Sequence, residues 1–215
     1  MSTPMASACG VARVTRARFA PYAQARERTV ARDTRAVLHG ATISGALRDG
    51  TRVCLRALRR GDEARLQRGF ERLSARSVRR RFFHAVKQFT SDELRRATEL
   101  DFHDRIGLVL AVRDGDDEAL IGEARLVRVS AGSERAEMAI VVADEYQHRG
   151  AGALLTRYLV AAARAVGVRE LLALVLADNG EMLALLRKTR LPLRRKPDGE
   201  ICEIVLSVDQ ATDAP

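Results

Sequence analysis

The sequence predicts an α/β fold, a mixed and mostly antiparallel sheet flanked by helices on both faces. Three observations predict it. Segments with a strand period in their apolar residues alternate with segments of helical period from residue 46 to residue 208. Turn signals separate the segments, among them Arg48-Asp49-Gly50 and Asp114-Gly115-Asp116-Asp117. Finally, 47% of the 215 residues are apolar but only 4% are aromatic, with no Trp, so the core must be built from Leu, Val, Ile and Ala. That length suits one domain with a full core plus a tail.

Residues 1–45 are poor in bulky hydrophobes and rich in Ala, Arg, Thr and Ser. They read as an Arg-rich tail, disordered or partly helical over 20–38. Order is expected from residue 46. Val53, Leu55 and Ala57 alternate with Arg52, Cys54 and Arg56, a half-buried strand. Gly61-Asp62 opens a helix with Asp62 as N-cap candidate and Leu66, Phe70 and Leu73 as its stripe. Ser74 to Val86 reads as a second helix, with Phe82 and Phe83 in the core. Thr90-x-x-Glu93 is a capping box that starts a third.

A three-strand meander follows: Ile106 to Val112, Ala119 to Val129 and Ala136 to Val142. The last is continuously apolar after Glu137, which places it centrally in the sheet. Gln147 to Gly152 leads into a helix over Ala153 to Val166, with Gly167 at its C-terminal cap. Leu171 to Leu176 is a buried strand and Gly180 to Arg187 a helix. Leu191 to Arg195 and Ile201 to Val208 close the fold as a hairpin. Residues 209–215 are a second tail.

The formal charge is +9, but the distribution argues against a nucleic-acid partner. Only three of the 37 basic residues are lysines, a bias of GC-rich bacterial coding rather than of phosphate contacts. More than half of the surplus sits in residues 1–45. Cys9, Cys54 and Cys202 are far apart and form no metal or disulfide pattern, so no metal is expected and a reducing cytoplasm fits. No apolar run reaches the length of a membrane span.

The segment Ile140-Val141-Val142-Ala143-Asp144-Glu145-Tyr146-Gln147-His148-Arg149-Gly150-Ala151-Gly152 carries the chemistry. An apolar strand ends, a short polar loop follows, and a helix begins at Gly-x-Gly. The unpaired amides and positive dipole end of that helix favour an anion, above all a phosphate. A dinucleotide fingerprint lacks its third Gly, since Leu155 stands there, and a P-loop lacks its Gly-Lys-Ser/Thr. A packing turn without any ligand remains the competing reading of Gly-x-Gly alone.

With Gln147, Gly150 and Gly152 in place after Ile140 and Val142, the segment resembles the [QR]-x-x-G-x-[GA] motif of the GNAT superfamily of acyl-CoA N-acyltransferases. The element order over residues 46–208 resembles that fold as well. Leu47-Arg48-Asp49-Gly50-Thr51, the run from Leu73 to Phe83 and Ala136-Glu137-Met138-Ala139-Ile140 are similar to the bacterial protein-lysine acetyltransferase branch. The resemblance implies acetyl-CoA as cosubstrate and a primary amine as acceptor, a protein lysine above a small molecule.

Residue by residue, it implies that the strand splays from its neighbour, often at a bulge. Backbone groups of Ile140, Val141 and Val142 would meet the pantetheine, and the amide of Val142 would hold the oxyanion. Amides of His148, Arg149, Gly150, Ala151, Gly152 and Ala153 would bind the pyrophosphate, behind Gln147. Asn179 would touch the CoA arm. Glu137 is the candidate base, its pKa raised by partial burial; the alternative is a strand-edge Glu paired with an Arg. Leu186 stands where many relatives have a Tyr acid, and Asp144 where they have Pro. The missing Tyr keeps open a non-catalytic CoA-binding module. His84 and His103 read as surface histidines. The run Arg79-Arg80-Arg81 is a solvated helix face, or an attractant for an acidic acceptor or the CoA phosphate. Such domains often form homodimers, though no interface signal is present.

Overall fold

The computed structural model describes residues 27–208. Helix α1 (Glu27–Leu38) leads into the strands β1 (Ile43–Ala46) and β2 (Arg52–Ala57). Three short helices follow, α2 (Glu63–Glu71), α3 (Ala75–Phe82) and α4 (Ser91–Thr98). The meander is β3 (Arg105–Asp114), β4 (Asp117–Arg128) and β5 (Arg135–Val142). A 3-10 turn (Asp144–Tyr146) joins it to α5 (Ala151–Ala165). Then come β6 (Glu170–Leu176), α6 (Gly180–Arg187), β7 (Leu193–Asp198) and β8 (Ile201–Ser207).

The strands form one sheet in the order β1-β2-β3-β4-β5-β6-β8-β7. Every pair is antiparallel except β5 with β6. The expected mixed, mostly antiparallel sheet is therefore present, with β5 central. The main core lies between the sheet and α5, where Leu155, Leu159 and Ala162 face Leu108, Leu110, Ala124 and Leu126. A smaller one, Leu58, Val109, Ala111 and Leu120, lies on the other face with Leu66 of α2 against it.

The expected boundary at residue 46 falls inside the folded unit. Val30 and Val37 of α1 and Ile43 of β1 belong to the main core, and α1 packs on α5. Their signal was diluted by the surrounding arginines, of which Arg32 and Arg35 are exposed. The rest of the expected N-terminal tail, residues 1–26, and the tail 209–215 lie outside the described residues.

Two local expectations need correction. Arg56 does not face solvent; its guanidinium is buried and grips the Asp62 carboxylate at 2.7 and 3.0 Å. Asp62 consequently caps α2 with no side-chain hydrogen bond. The second helix ends at Phe82, four residues early, because Phe83 adopts φ +66°. That turn brings Phe89 back onto Phe70 and Phe82, with ring centroids 4.6 and 5.5 Å apart. The Thr90–Glu93 capping box forms as expected.

Candidate active site

The site is created by a strand that leaves its neighbour. β5 pairs with β6 only from Arg135 to Glu137, against Glu170 to Leu172. Its other edge stays paired with β4 as far as Val142. No register shift interrupts that ladder, so the splay arises without the expected bulge in β5. The irregularity lies one strand over, between Leu110 and Ala111 of β3, where Ile121 is the extra residue of β4.

In an antiparallel ladder successive residues point their amide and carbonyl to opposite sides. The amide of Ala143 donates to Ile121 of β4 at 2.9 Å. Alternation then turns the backbone groups of Ile140 and Val142 into the gap that β6 vacates. The Val142 carbonyl is held there by the Gln147 side-chain amide at 3.0 Å, and Gln147 also donates to Ser77 at 3.1 Å. Gln147 is thus a brace for the end of β5.

Below the gap lies the start of α5. Gly150 occupies its N-cap with φ +99°, a conformation that glycine alone adopts cheaply, and offers no side-chain cap. The first amides of α5 therefore face the cleft without an intrahelical acceptor. At Gly152 a Cβ would come within 3.3 Å of Leu185, so the small residue lets α5 approach α6 closely.

The resulting cleft has a volume of about 430 Å³. Ile140, Val141, Val142, Gln147, His148, Gly150, Gly152, Ala153 and Asn179 all line it, which brings together most of the residues singled out from the sequence. Asn179 also accepts from the Met182 amide at 3.2 Å, so it caps α6. Two residues stand apart. The Ala151 side chain is buried in the core, and the Arg149 guanidinium turns away to Asp49 at 2.8 Å.

Glu137 lies on the opposite face of β5 from the main core, alongside Ala139 and Val141. It is exposed, not partly buried as expected, because nothing covers that end of the strand. Among the described residues no hydrogen bond or ion pair engages its carboxylate, so the strand-edge ion pair is absent too. The carboxylate that is partly buried on this face is Glu123 of β4, opposite Val141. Burial pushes its pKa up, but the Arg125 guanidinium bonded to it, with Arg81 nearby, outweighs that and holds it below the usual carboxylate range.

Asp144 explains itself in the structure. It accepts from the Ser74 amide at 2.9 Å, the Ser74 hydroxyl at 2.7 Å and the Ser77 hydroxyl at 2.9 Å. These bonds tie the loop before α5 to the first turn of α3. Partial burial raises its pKa, and those three bonds together bring it below the ordinary value.

The cleft also has basic residues, of which sequence reasoning weighed Arg80 and Arg81 only as part of an arginine run and missed Arg48 and Lys188. Arg48, Arg80, Arg81 and Lys188 line it. Arg80 pairs with Glu181 across the cleft at 2.6 Å. The Arg79–Arg81 run was the available signal, but its three members differ: Arg79 is exposed, Arg80 is mostly covered and Arg81 is half-buried. His84 and His103 are exposed and away from the cleft, and Leu186 is wholly buried in the core. No described residues cluster as a metal site, and no described helix is long and apolar enough to cross a membrane.

A split between two parallel neighbours at the centre of a mostly antiparallel sheet, with a helix N-terminus at its mouth, is the architecture of the acyl-CoA N-acyltransferase fold. The family comparison agrees: the acetyltransferase (GNAT) domain matches residues 52–191, and the chain belongs to that family. Acetyltransferase Pat of Mycolicibacterium smegmatis is 35% identical over 136 residues, 63% of this chain and 40% of that protein. The chain thus spans about two-fifths of that relative's length. Acetyltransferase PA5475 of Pseudomonas aeruginosa is 28% identical over 153 residues, 71% of this chain and 82% of its own. Among solved structures, the GNAT domain of S. lividans PAT superposes with a TM-score of 0.70 at 28% identity, over 77% of this chain and 96% of that one.

Proposed function

We propose that the chain transfers acetyl from acetyl-CoA to a primary amine, with a protein lysine as the preferred acceptor, by direct attack in a ternary complex. The splay of β5 from β6 above the α5 N-terminus carries this reading. Amides at the start of α5 suit the pyrophosphate, with His148, Gly150, Gly152 and Ala153 at the contact. Ile140 and Val142 offer strand-like backbone partners for the pantetheine amides. The Val142 amide is aimed at the developing oxyanion, and Gln147 preorganises it by fixing the neighbouring carbonyl. Asn179 supports the arm from α6.

In the transfer, the amine nitrogen bonds to the thioester carbon and the C–S bond breaks. The amine gives up a proton, for which we assign Glu137 as base. Glu137 and Val142 are five residues apart on one strand, roughly 16 Å at ~3.3 Å per residue. The proton must therefore travel along a chain of several waters, since one water spans only about 5–6 Å between its partners. Glu123 lies nearer, but its bond to Arg125 makes it a weak base. The thiolate takes its proton from solvent, because Leu186 offers none. The lysine preference rests on the resemblance of the run from Leu73 to Phe83 and of Ala136-Glu137-Met138-Ala139-Ile140 to the protein-lysine acetyltransferase branch, and a small-molecule amine is the competing acceptor.

The test is acetyl-CoA turnover followed by thiol release, with lysine-bearing proteins and small amines as acceptors. Wild type, Glu137→Gln and Glu123→Gln are compared, with CoA binding measured by calorimetry. We expect Glu137→Gln to bind CoA and to lose about 100-fold or more in kcat, while Glu123→Gln loses far less. Turnover of small amines alone would refute the lysine preference. CoA binding without turnover on any acceptor would make the chain a non-catalytic module.

A further inference from the structure

A second cavity, of about 310 Å³, lies on the α2–α4 face of the sheet. Its walls are apolar, from Leu66, Phe70, Phe82, Phe89, Leu94 and Leu120. Only Arg81 and Val141 line both this cavity and the donor cleft. They form the wall that the two share, next to Val142.

Two carboxylates and two guanidiniums line the cavity, and three of these four groups are held by hydrogen bonds. Glu123 is bonded to Arg125, which also donates to the Ala97 carbonyl at 3.0 Å. Glu93 lines the cavity, but its carboxylate accepts from the Thr90 amide and hydroxyl, both at 2.8 Å. Arg81 has neither a hydrogen bond nor an ion pair among the described residues; its guanidinium lies over the Phe82 ring, 4.9 Å from the centroid. The Arg81 N–H donors are thus the ones left without an acceptor, and a half-buried donor with no acceptor is costly. Burial pushes its pKa down, and the nearby Glu123 carboxylate offsets this only in part.

We propose that Arg81 selects the acyl group: the site accepts short dicarboxylic acyl-CoA donors as well as acetyl-CoA, with the terminal carboxylate on Arg81. This rests on the donor-cleft reading above. An acetyl methyl beside Val141 leaves both Arg81 and the cavity unused. A chain with two or three methylenes reaches past Val141, lays them on apolar surface and presents one carboxylate to a guanidinium that has no hydrogen-bond acceptor. The transfer itself is unchanged. The amine nitrogen bonds to the thioester carbon, the C–S bond breaks, the amine proton leaves to base, and the product is an amide ending in a free carboxylate.

The test needs no acceptor. Two non-reactive thioethers, S-butyl-CoA and S-(3-carboxypropyl)-CoA, are titrated by calorimetry into the full chain beside CoA itself. Wild type is compared with Arg81→Leu and Arg81→Lys. A charge-assisted pair predicts that wild type binds the carboxylate thioether about tenfold more tightly than the butyl one. Arg81→Leu should reduce that ratio to about one or invert it, and Arg81→Lys should restore part of it. Equal affinities in wild type overturn the proposal. A ratio that survives Arg81→Leu, with both thioethers weakened alike, also overturns it and makes Arg81 a contact of CoA. Failure of wild type to bind CoA itself refutes the donor cleft, and this inference with it. A succinyl-CoA transfer assay on a lysine peptide then reads the same ratio in turnover.

Discussion

Two carboxylates hold the site's surroundings together. Asp62 is fully buried and receives both terminal nitrogens of Arg56, the Arg59 amide at 3.1 Å and Arg65 at 3.3 Å. Arg56 reaches on to Glu118 at 2.9 Å, so the cluster ties β2 to the start of α2 and to β4. Removing one member of a buried pair strands the other. Asp62→Ala should therefore cost about 3–5 kcal/mol, while Arg56→Met with Asp62→Leu should cost far less. Urea unfolding checks both. Burial raises the Asp62 pKa, but the Arg56 hydrogen bonds and charge outweigh it, leaving the carboxyl below its ordinary value. A lowered carboxyl contributes stability above its unfolded pKa and loses it as pH falls through the folded one. Wild type should lose this contribution only below about pH 3.8, and Asp62→Ala should show a flatter acid limb.

Asp144 acts on binding more than on stability. It is the link between α3 and the loop that precedes α5, through Ser74 and Ser77. Ser77 in turn accepts from Gln147, which holds the Val142 carbonyl. Asp144→Ala should loosen the whole chain of contacts and weaken CoA about tenfold, the equivalent of one or two hydrogen bonds. Calorimetry on a variant with wild-type far-UV circular dichroism reads this directly. Unchanged affinity would show that the loop holds its shape without α3.

The element that matters most is α5. Its start is shaped by Gly150, and its length by a run of Leu and Ala that faces both the sheet and α1. Gly150→Ala places a Cβ in the left-handed region, at about 1–2 kcal/mol. The strain falls on the amides of the next residues, so CoA affinity should drop by up to tenfold while the helix itself persists. This element was legible because apolar strand, polar loop and Gly-x-Gly are local in sequence. The same is true of the Thr90–Glu93 box, the Asp114–Asp117 hairpin and the α6 span. What escaped was non-local. The Arg56–Asp62–Glu118 cluster needs three elements brought together, and alternation alone turned Arg56 outward. Phe83 ends α3 because aromatic rings 12 to 19 residues apart in sequence meet, which no local period records. The shared wall at Arg81 and Val141 joins a helix face to a strand face, and neither shows it alone. Glu137 was found from its neighbours on β5, but its exposure depends on where β6 and the helices stop.

At the scale of the whole molecule, the first element of the described chain supports the site from behind. Helix α1 lies on α5, with Val30, Thr34 and Val37 buried, and Asp33 near enough to Tyr158 to affect its pKa. Tyr158 is itself buried to 2% exposure. Burying Val30, Val37 and Tyr158 is worth roughly 1.5–3 kcal/mol each, a large part of the roughly 5–15 kcal/mol by which a domain is stable. Cutting the chain at residue 46, the boundary that composition suggests, removes α1 and β1 and uncovers that face of α5. The truncated protein should lose its cooperative thermal transition and bind a hydrophobic dye. Because the cut also removes arginines, Val37→Asp gives the matching point variant: it keeps every arginine and puts a carboxylate into the α1–α5 contact. It should lower stability by several kcal/mol and weaken CoA in proportion to the unfolded fraction. A truncated chain that melts cooperatively at the wild-type temperature would mean that the sheet and α5 suffice alone, and α1 would then be a cover rather than a support.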